Sequence, residues 1–111
     1  MEITQQKKDD VNIISINGRL DASTANSLEE SLEPFNQQQK IKLVVNCEQL
    51  EYISSAGLRV LLACAKQFQK NHSRISLTTL NANVKQVFEI SGFTSIFHIY
   101  NTIDEAINDI A

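Results

Sequence analysis

At 111 residues and 42% hydrophobic content, the chain is sized for one domain spanning residues 1–111, with a core that needs no disulfide staples. Ten Lys and Arg against thirteen Asp and Glu leave a net charge of -3, which lacks the basic footprint of direct nucleic-acid binding. The longest apolar stretches, such as Val60 to Ala65, fall far short of a membrane span, and Met1 to Gln5 lack the basic and apolar regions of a signal peptide; a soluble cytoplasmic protein without membrane insertion is expected.

Glu2 to Lys8 is mostly polar and reads as a weak edge strand, with Asp9-Asp10 as the turn into Val11 to Ile16, so a β-hairpin opens the chain. Asn17-Gly18 breaks or bulges the second strand. Arg19-Leu20-Asp21 then leads into a segment in which Ala25, Leu28, Leu32 and Phe35 recur at helical spacing. Asp21 or Ser23 is expected to cap that helix. Pro34 is expected to end or kink it, because proline has no amide hydrogen and clashes with the preceding turn. Asn36 to Lys40 is the exit loop.

Ile41 to Asn46 is rich in β-branched and apolar residues, and Leu43-Val44-Val45 shows no polar alternation, as expected of a central strand buried on both faces. Cys47 to Ile53 reads as a loop. The strongest helix follows, with Leu58, Leu61, Leu62, Ala65 and Phe68 on one face, Lys66 and Lys70 near the negative end of its dipole, and Asn71 as its stop. Arg74 to Thr79 alternates with period two and completes a β-α-β unit with parallel strands and a right-handed crossover. Val84, Val87 and Phe88 stripe a shorter helix ended by Gly92, and Ile96 to Tyr100 is a short strand. Thr102-Ile103-Asp104-Glu105 has the form of a capping box for a last helix with Ile103, Ala106, Ile107 and Ile110 on its apolar face.

Few residues carry candidate chemistry. Cys47 and Cys64 have neither metal-ligand spacing nor the density of a disulfide scaffold and read as small buried apolar residues in a reducing compartment. His72 and His98 read as surface or packing residues rather than general bases. Ile53 to Gly57 lacks the Gly-x-Ser-x-Gly pattern of a nucleophile elbow, and no glycine-rich phosphate loop or metal-ligand cluster is present; neither catalysis nor a cofactor is expected. What stands out is the junction of the most buried strand with the strongest helix, where Ser54 and Ser55 fall at the helix start. A serine there is sufficiently explained as an N-cap. The same geometry also suits a phosphoserine, because unpaired amides and the positive end of the dipole favour an anion, and Gly57 permits close backbone approach.

Gly18-Arg19-Leu20-Asp21-Ala22-Ser23-Thr24-Ala25 resembles the first-helix entry of the STAS domain family, and Ile53-Ser54-Ser55-Ala56-Gly57-Leu58-Arg59-Val60-Leu61-Leu62 resembles its phosphoacceptor motif, about 35 residues further on. Val84 to Phe93 is similar to the family's third helix. The resemblance implies an α/β fold, a single-layer mixed β-sheet of about five strands with about four helices packed mainly on one face. It also implies an anti-sigma-factor antagonist. In that branch the unphosphorylated protein binds a serine-kinase anti-sigma factor with a histidine-kinase-like ATP-binding fold and releases its sigma factor, or regulates an equivalent partner; the kinase phosphorylates one serine, which ends binding, and a metal-dependent serine phosphatase reverses the change. By position the acceptor is Ser55, two residues before Gly57-Leu58. Ser54, the other candidate acceptor, takes the place often held by Asp, and Ala56 that of a second hydroxyl. Asp21 aligns with an acidic residue that the resemblance places near the acceptor loop, where it contacts the partner or orders the first helix, with simple capping as the alternative. Ser23, Thr24, Ser54, Ala56, Gly57, Leu58 and Arg59 complete the implied partner surface, with capping as the alternative for Ser23 and Thr24 and a solvated side chain for Arg59. A STAS subunit of a transport or signalling complex, in which the serines only cap the helix, is the alternative function.

Overall fold

The computed structural model describes residues 1–110. Its strands are β1 (Glu2–Lys8), β2 (Val11–Leu20), β3 (Lys42–Asn46), β4 (Leu50–Ile53), β5 (Arg74–Thr78) and β6 (His98–Tyr100). Its helices are α1 (Ala25–Asn36), α2 (Ser55–Lys70), α3 (Ala82–Ile90) and α4 (Ile103–Ile110), with a short 3-10 turn at Phe93–Ser95. The sheet runs β1-β2-β3-β5-β6, with β4 paired to the far end of β2. Only β1 against β2 is antiparallel; the pairs β2–β3, β2–β4, β3–β5 and β5–β6 are parallel.

The sheet is therefore mixed, as expected, and β3 is central: Leu43, Val44 and Val45 are fully buried. On one face Ile14, Ile16, Leu43, Val45 and Leu77 pack with Leu28 and Leu32 of α1, Leu61 and Phe68 of α2 and Val84 and Phe88 of α3. Phe88 meets Phe97 edge-on at 5.6 Å between ring centroids. On the other face Val11, Ile13 and Val44 pack with Ala106 and Ile110 of α4. Three helices thus cover one face and one helix covers part of the other.

Several elements differ from expectation. The segment expected to be a loop contains β4, a sixth strand, whose burial does not alternate: Leu50 and Ile53 are buried while Glu51 and Tyr52 between them are exposed. Four residues are too few for period two to announce a strand, and β4 exists because the end of β2 offers it a partner. That end exists because Asn17-Gly18 bulges the strand instead of ending it. Gly18 has φ 108, and register with β4 shifts between Gly18 and Arg19, after which Arg19 faces Tyr52 and Leu20 faces Ile53. Strand β6 begins at His98 rather than Ile96.

Neither Asp21 nor Ser23 caps α1. The N-cap is Thr24, without a side-chain cap bond, because the carboxylate of Asp21 accepts from the Ser23 amide two residues on and so closes a turn before the helix begins. Pro34 neither ends α1 at once nor starts it; it lies in the last turn, and the helix runs to Asn36. Gly92 is left-handed at φ 75, just beyond the C-cap Ser91 of α3. Thr102 accepts from the Glu105 amide at 3.1 Å, as its capping box predicts.

Candidate functional site

The pairing of β4 with the bulged end of β2 brings together two segments that are distant in sequence. Arg19 and Leu20 lie beside Tyr52 and Ile53, and the Ser54 amide donates to the Leu20 carbonyl at 2.9 Å. The turn that enters α1 and the start of α2 are thereby neighbours on one surface.

At the start of α2, Ser54 is the N-cap. Its extended backbone (φ -100, ψ 175) turns the chain into the helix, and its Oγ accepts from the Gly57 amide at 3.5 Å, the long limit of a hydrogen bond. The side chain is half-buried. Ser55 is the first helical residue and is exposed, as is Arg59 one turn later. The chain thus uses Ser54 to start the helix and holds Ser55 toward solvent.

Gly57 and Leu58, which the resemblance implies lie on a partner surface, turn inward, as the apolar spacing of the helix already required of Leu58. Leu58 is buried in the core, and a Cβ on Gly57 would lie 2.5 Å from Leu20 Cγ and 3.1 Å from Ile53 Cγ1. Gly57 therefore permits close approach of the helix to β2 and β4, not of an anion to the helix. Ala56 is half-buried. In this region Ser55 and Arg59 can touch a partner directly, whereas Gly57 and Leu58 set the height and angle at which they are presented.

The adjoining turn is a small hydrogen-bonded unit. Asp21 Oδ1 accepts from the Ser23 amide at 3.0 Å and the Ser23 hydroxyl at 2.7 Å, and Thr24 Oγ1 donates to the Arg19 carbonyl at 2.8 Å while accepting from the Asp21 amide at 2.9 Å. The Ser23 hydroxyl, then its amide, hold the Asp21 carboxyl below the usual aspartate range. Asp21 also lies 3.9 Å from Arg19 Nε. The Arg19 guanidinium in turn stacks over the Tyr52 ring at 4.3 Å from its centroid.

Tyr52, 41% exposed, lies outside both sequence motifs and yet shares their surface. Its signal was weak, because an aromatic in a segment read as loop has no face until β4 assigns it one. The remaining candidates lie elsewhere. Cys47 and Cys64 are both buried, and burial pushes each thiol up to about 12. His72, exposed just beyond α2, is separated from Ser55 by the 16 residues of that helix, about 24 Å at 1.5 Å per residue. His98 is exposed on β6. Among the described residues no group of three or more His, Cys, Asp or Glu is placed to hold a metal, and no helix is long and apolar enough to cross a membrane. A cleft of ≈ 580 Å³ between α1 and α2, lined by Leu32, Asn36, Gln67 and Asn71 among others, does not include Ser54 or Ser55.

Comparison with known proteins gives the same picture of the whole chain. The STAS domain model matches residues 2–106. The chain is 38% identical over 106 residues to BtrV of Bordetella bronchiseptica, provisionally named an anti-sigma factor antagonist, covering 96% of this chain and 91% of that protein. It is 30% identical over 105 residues to the anti-sigma-B factor antagonist of Listeria monocytogenes, covering 95% of this chain and 91% of that one. Its fold matches SpoIIAA of Bacillus, solved in unphosphorylated form (TM-score 0.83, 20% identity, 98% of this chain and 96% of that one) and in phosphorylated form (TM-score 0.77, 19% identity, 99% and 100%).

Proposed function

The chain belongs to the STAS domain family, and we propose that within it the protein is an anti-sigma factor antagonist whose partner surface is switched by phosphorylation of Ser55. The observation that carries this reading is local. Ser55 is the exposed first residue of α2, and the neighbouring Ser54 already serves as the cap. The names of the relatives at 38% and 30% identity support the antagonist role.

In this reading the unphosphorylated surface around Ser55, Arg59, Asp21, Ser23 and Thr24 captures a kinase anti-sigma factor and so frees its sigma factor. The kinase transfers the γ-phosphoryl group of ATP to Ser55 Oγ, which loses its proton, and ADP leaves. The product carries about -1.5 to -2 of added charge at a helix start, where unpaired amides and the dipole accommodate it without unfolding the helix. A partner docked there meets a charge that it has no group to neutralise, so binding ends. A metal-dependent serine phosphatase restores the first state. The protein is a binding switch in the cytoplasm and not a catalyst.

The test uses a kinase-like anti-sigma factor from the same genome. Ser55→Ala is expected to abolish phosphate incorporation while Ser54→Ala retains most of it, and Ser55→Asp is expected to lose kinase binding by isothermal calorimetry. Equal incorporation into wild type and Ser55→Ala would remove Ser55 as the acceptor. Undiminished binding of Ser55→Asp would argue against exclusion by charge.

A further inference from the structure

The opening hairpin leaves β1 at the edge of the sheet with a single partner, and all its residues except Ile3 are exposed. The two residues Asp9 and Asp10 separate the paired Lys8 and Val11. A two-residue turn closes on a pair that exchanges backbone bonds, and such pairs then alternate along an antiparallel ladder. Glu2, Thr4, Gln6 and Lys8 accordingly bond to β2, while the amides and carbonyls of Ile3, Gln5 and Lys7 point outward along the free edge.

We propose that this edge pairs with β1 of a second copy of the chain, antiparallel, about a two-fold axis at Gln5. The backbone permits that register, because it places Ile3 opposite Lys7 and Gln5 opposite Gln5, and these are the residues with free groups. The side chains select it. Glu2 of each copy falls opposite Lys8 of the other, in non-hydrogen-bonded pairs where side chains approach most closely. Thr4 falls opposite Gln6, and no like charges are directly opposed. A slide of two residues in either direction removes both Glu2–Lys8 pairs, and parallel pairing would set Lys7 on Lys7 and Lys8 on Lys8. Edge lysines ordinarily discourage strand addition. Here the acid at one end and the bases at the other make the strand complementary to itself, as a two-fold interface requires. The contact is one strand wide, so the dimer is weak and reversible.

Sedimentation velocity on the full chain, from about 10 μM to 1 mM, tests the assignment. The weight-average mass is expected to rise toward twice the monomer mass and to fall back in high salt. Gln5→Pro is expected to remain monomeric with an unchanged circular dichroism spectrum, because its amide is not used by β2 and proline is tolerated on the outer side of an edge strand. Glu2→Lys and Lys8→Glu should each weaken association by about tenfold, and the double variant should recover most of it, since both pairs re-form with signs exchanged. A monomer throughout the range would overturn the proposal. So would a dimer that survives in folded Gln5→Pro, or a double variant no tighter than the single ones. If Gln5→Pro fails to fold, the charge series decides by itself.

Discussion

Position within a few ångströms decides what the individual residues do. Ser54 and Ser55 are chemically identical neighbours, yet one is half-buried and used as a cap while the other is exposed at the first helical position. Asp21 shows the same dependence: two bonds from Ser23 hold its carboxyl ionised and low. Because the shift is downward, this contribution is present above the ordinary aspartate range and fades as pH falls through the lowered value. Ser23→Ala, which removes the largest cause, should move the Asp21 midpoint upward toward the usual range, read from its carboxyl carbon in an NMR titration. Gly57→Ala is expected to destabilise the fold by about 1–3 kcal/mol in urea unfolding, because its Cβ would enter the space of the fully buried Leu20. The sequence shows two adjacent serines and, after Ala56, a glycine, but local pattern alone does not say which serine caps the helix and which faces water.

At the scale of elements, the caps differ in what they tie together. Asn81 Oδ1 accepts from the Val84 amide at 2.8 Å while its Nδ2 donates to the Leu50 carbonyl at 3.0 Å, so it both starts α3 and fastens it to β4. Ser54 makes one cap bond at 3.5 Å. Asn81→Ala should therefore cost about 1–2 kcal/mol and Ser54→Ala about 0.5 kcal/mol in matched unfolding curves. A larger loss for Ser54→Ala would contradict this ordering. The long periodic elements, α2 above all, announced themselves through apolar spacing. Strand β4 did not, since its pairing partner was created by a bulge at Gly18 and no local pattern encodes that partnership.

Across the whole molecule, the two faces of the sheet have different roles. Helices α1, α2 and α3 build the main core on one face and present the Ser55 surface, while α4 closes a smaller cluster on the other. Tyr100 and Arg74 hold α4 from outside through Asp109. Beneath it, the hydroxyls of Ser76 and Thr78 are buried with no partner among the described residues, a cost that the packing of this face carries. Ala106→Asp, which would bury a carboxylate in that cluster, should release α4 and raise hydrogen exchange there and in β3. Phosphate incorporation at Ser55 should persist, because α2 and β4 belong to the other face. Loss of both together would show that the faces are not separable.

The sequence by itself determined the alternation of strands and helices, the buried central strand, the apolar stripe of each helix and the two motifs by which the chain resembles its family. These follow from local periodicity and residue chemistry, which need no knowledge of distant neighbours. Tertiary structure decided that the two motifs share a surface, that Gly57 lets α2 approach Leu20 and Ile53 closely, that Tyr52 stands beneath Arg19, and that β4 pairs with the end of β2. Each of these depends on strand register and on which side of a strand or helix meets water, and that is settled only when segments far apart in sequence pack against one another.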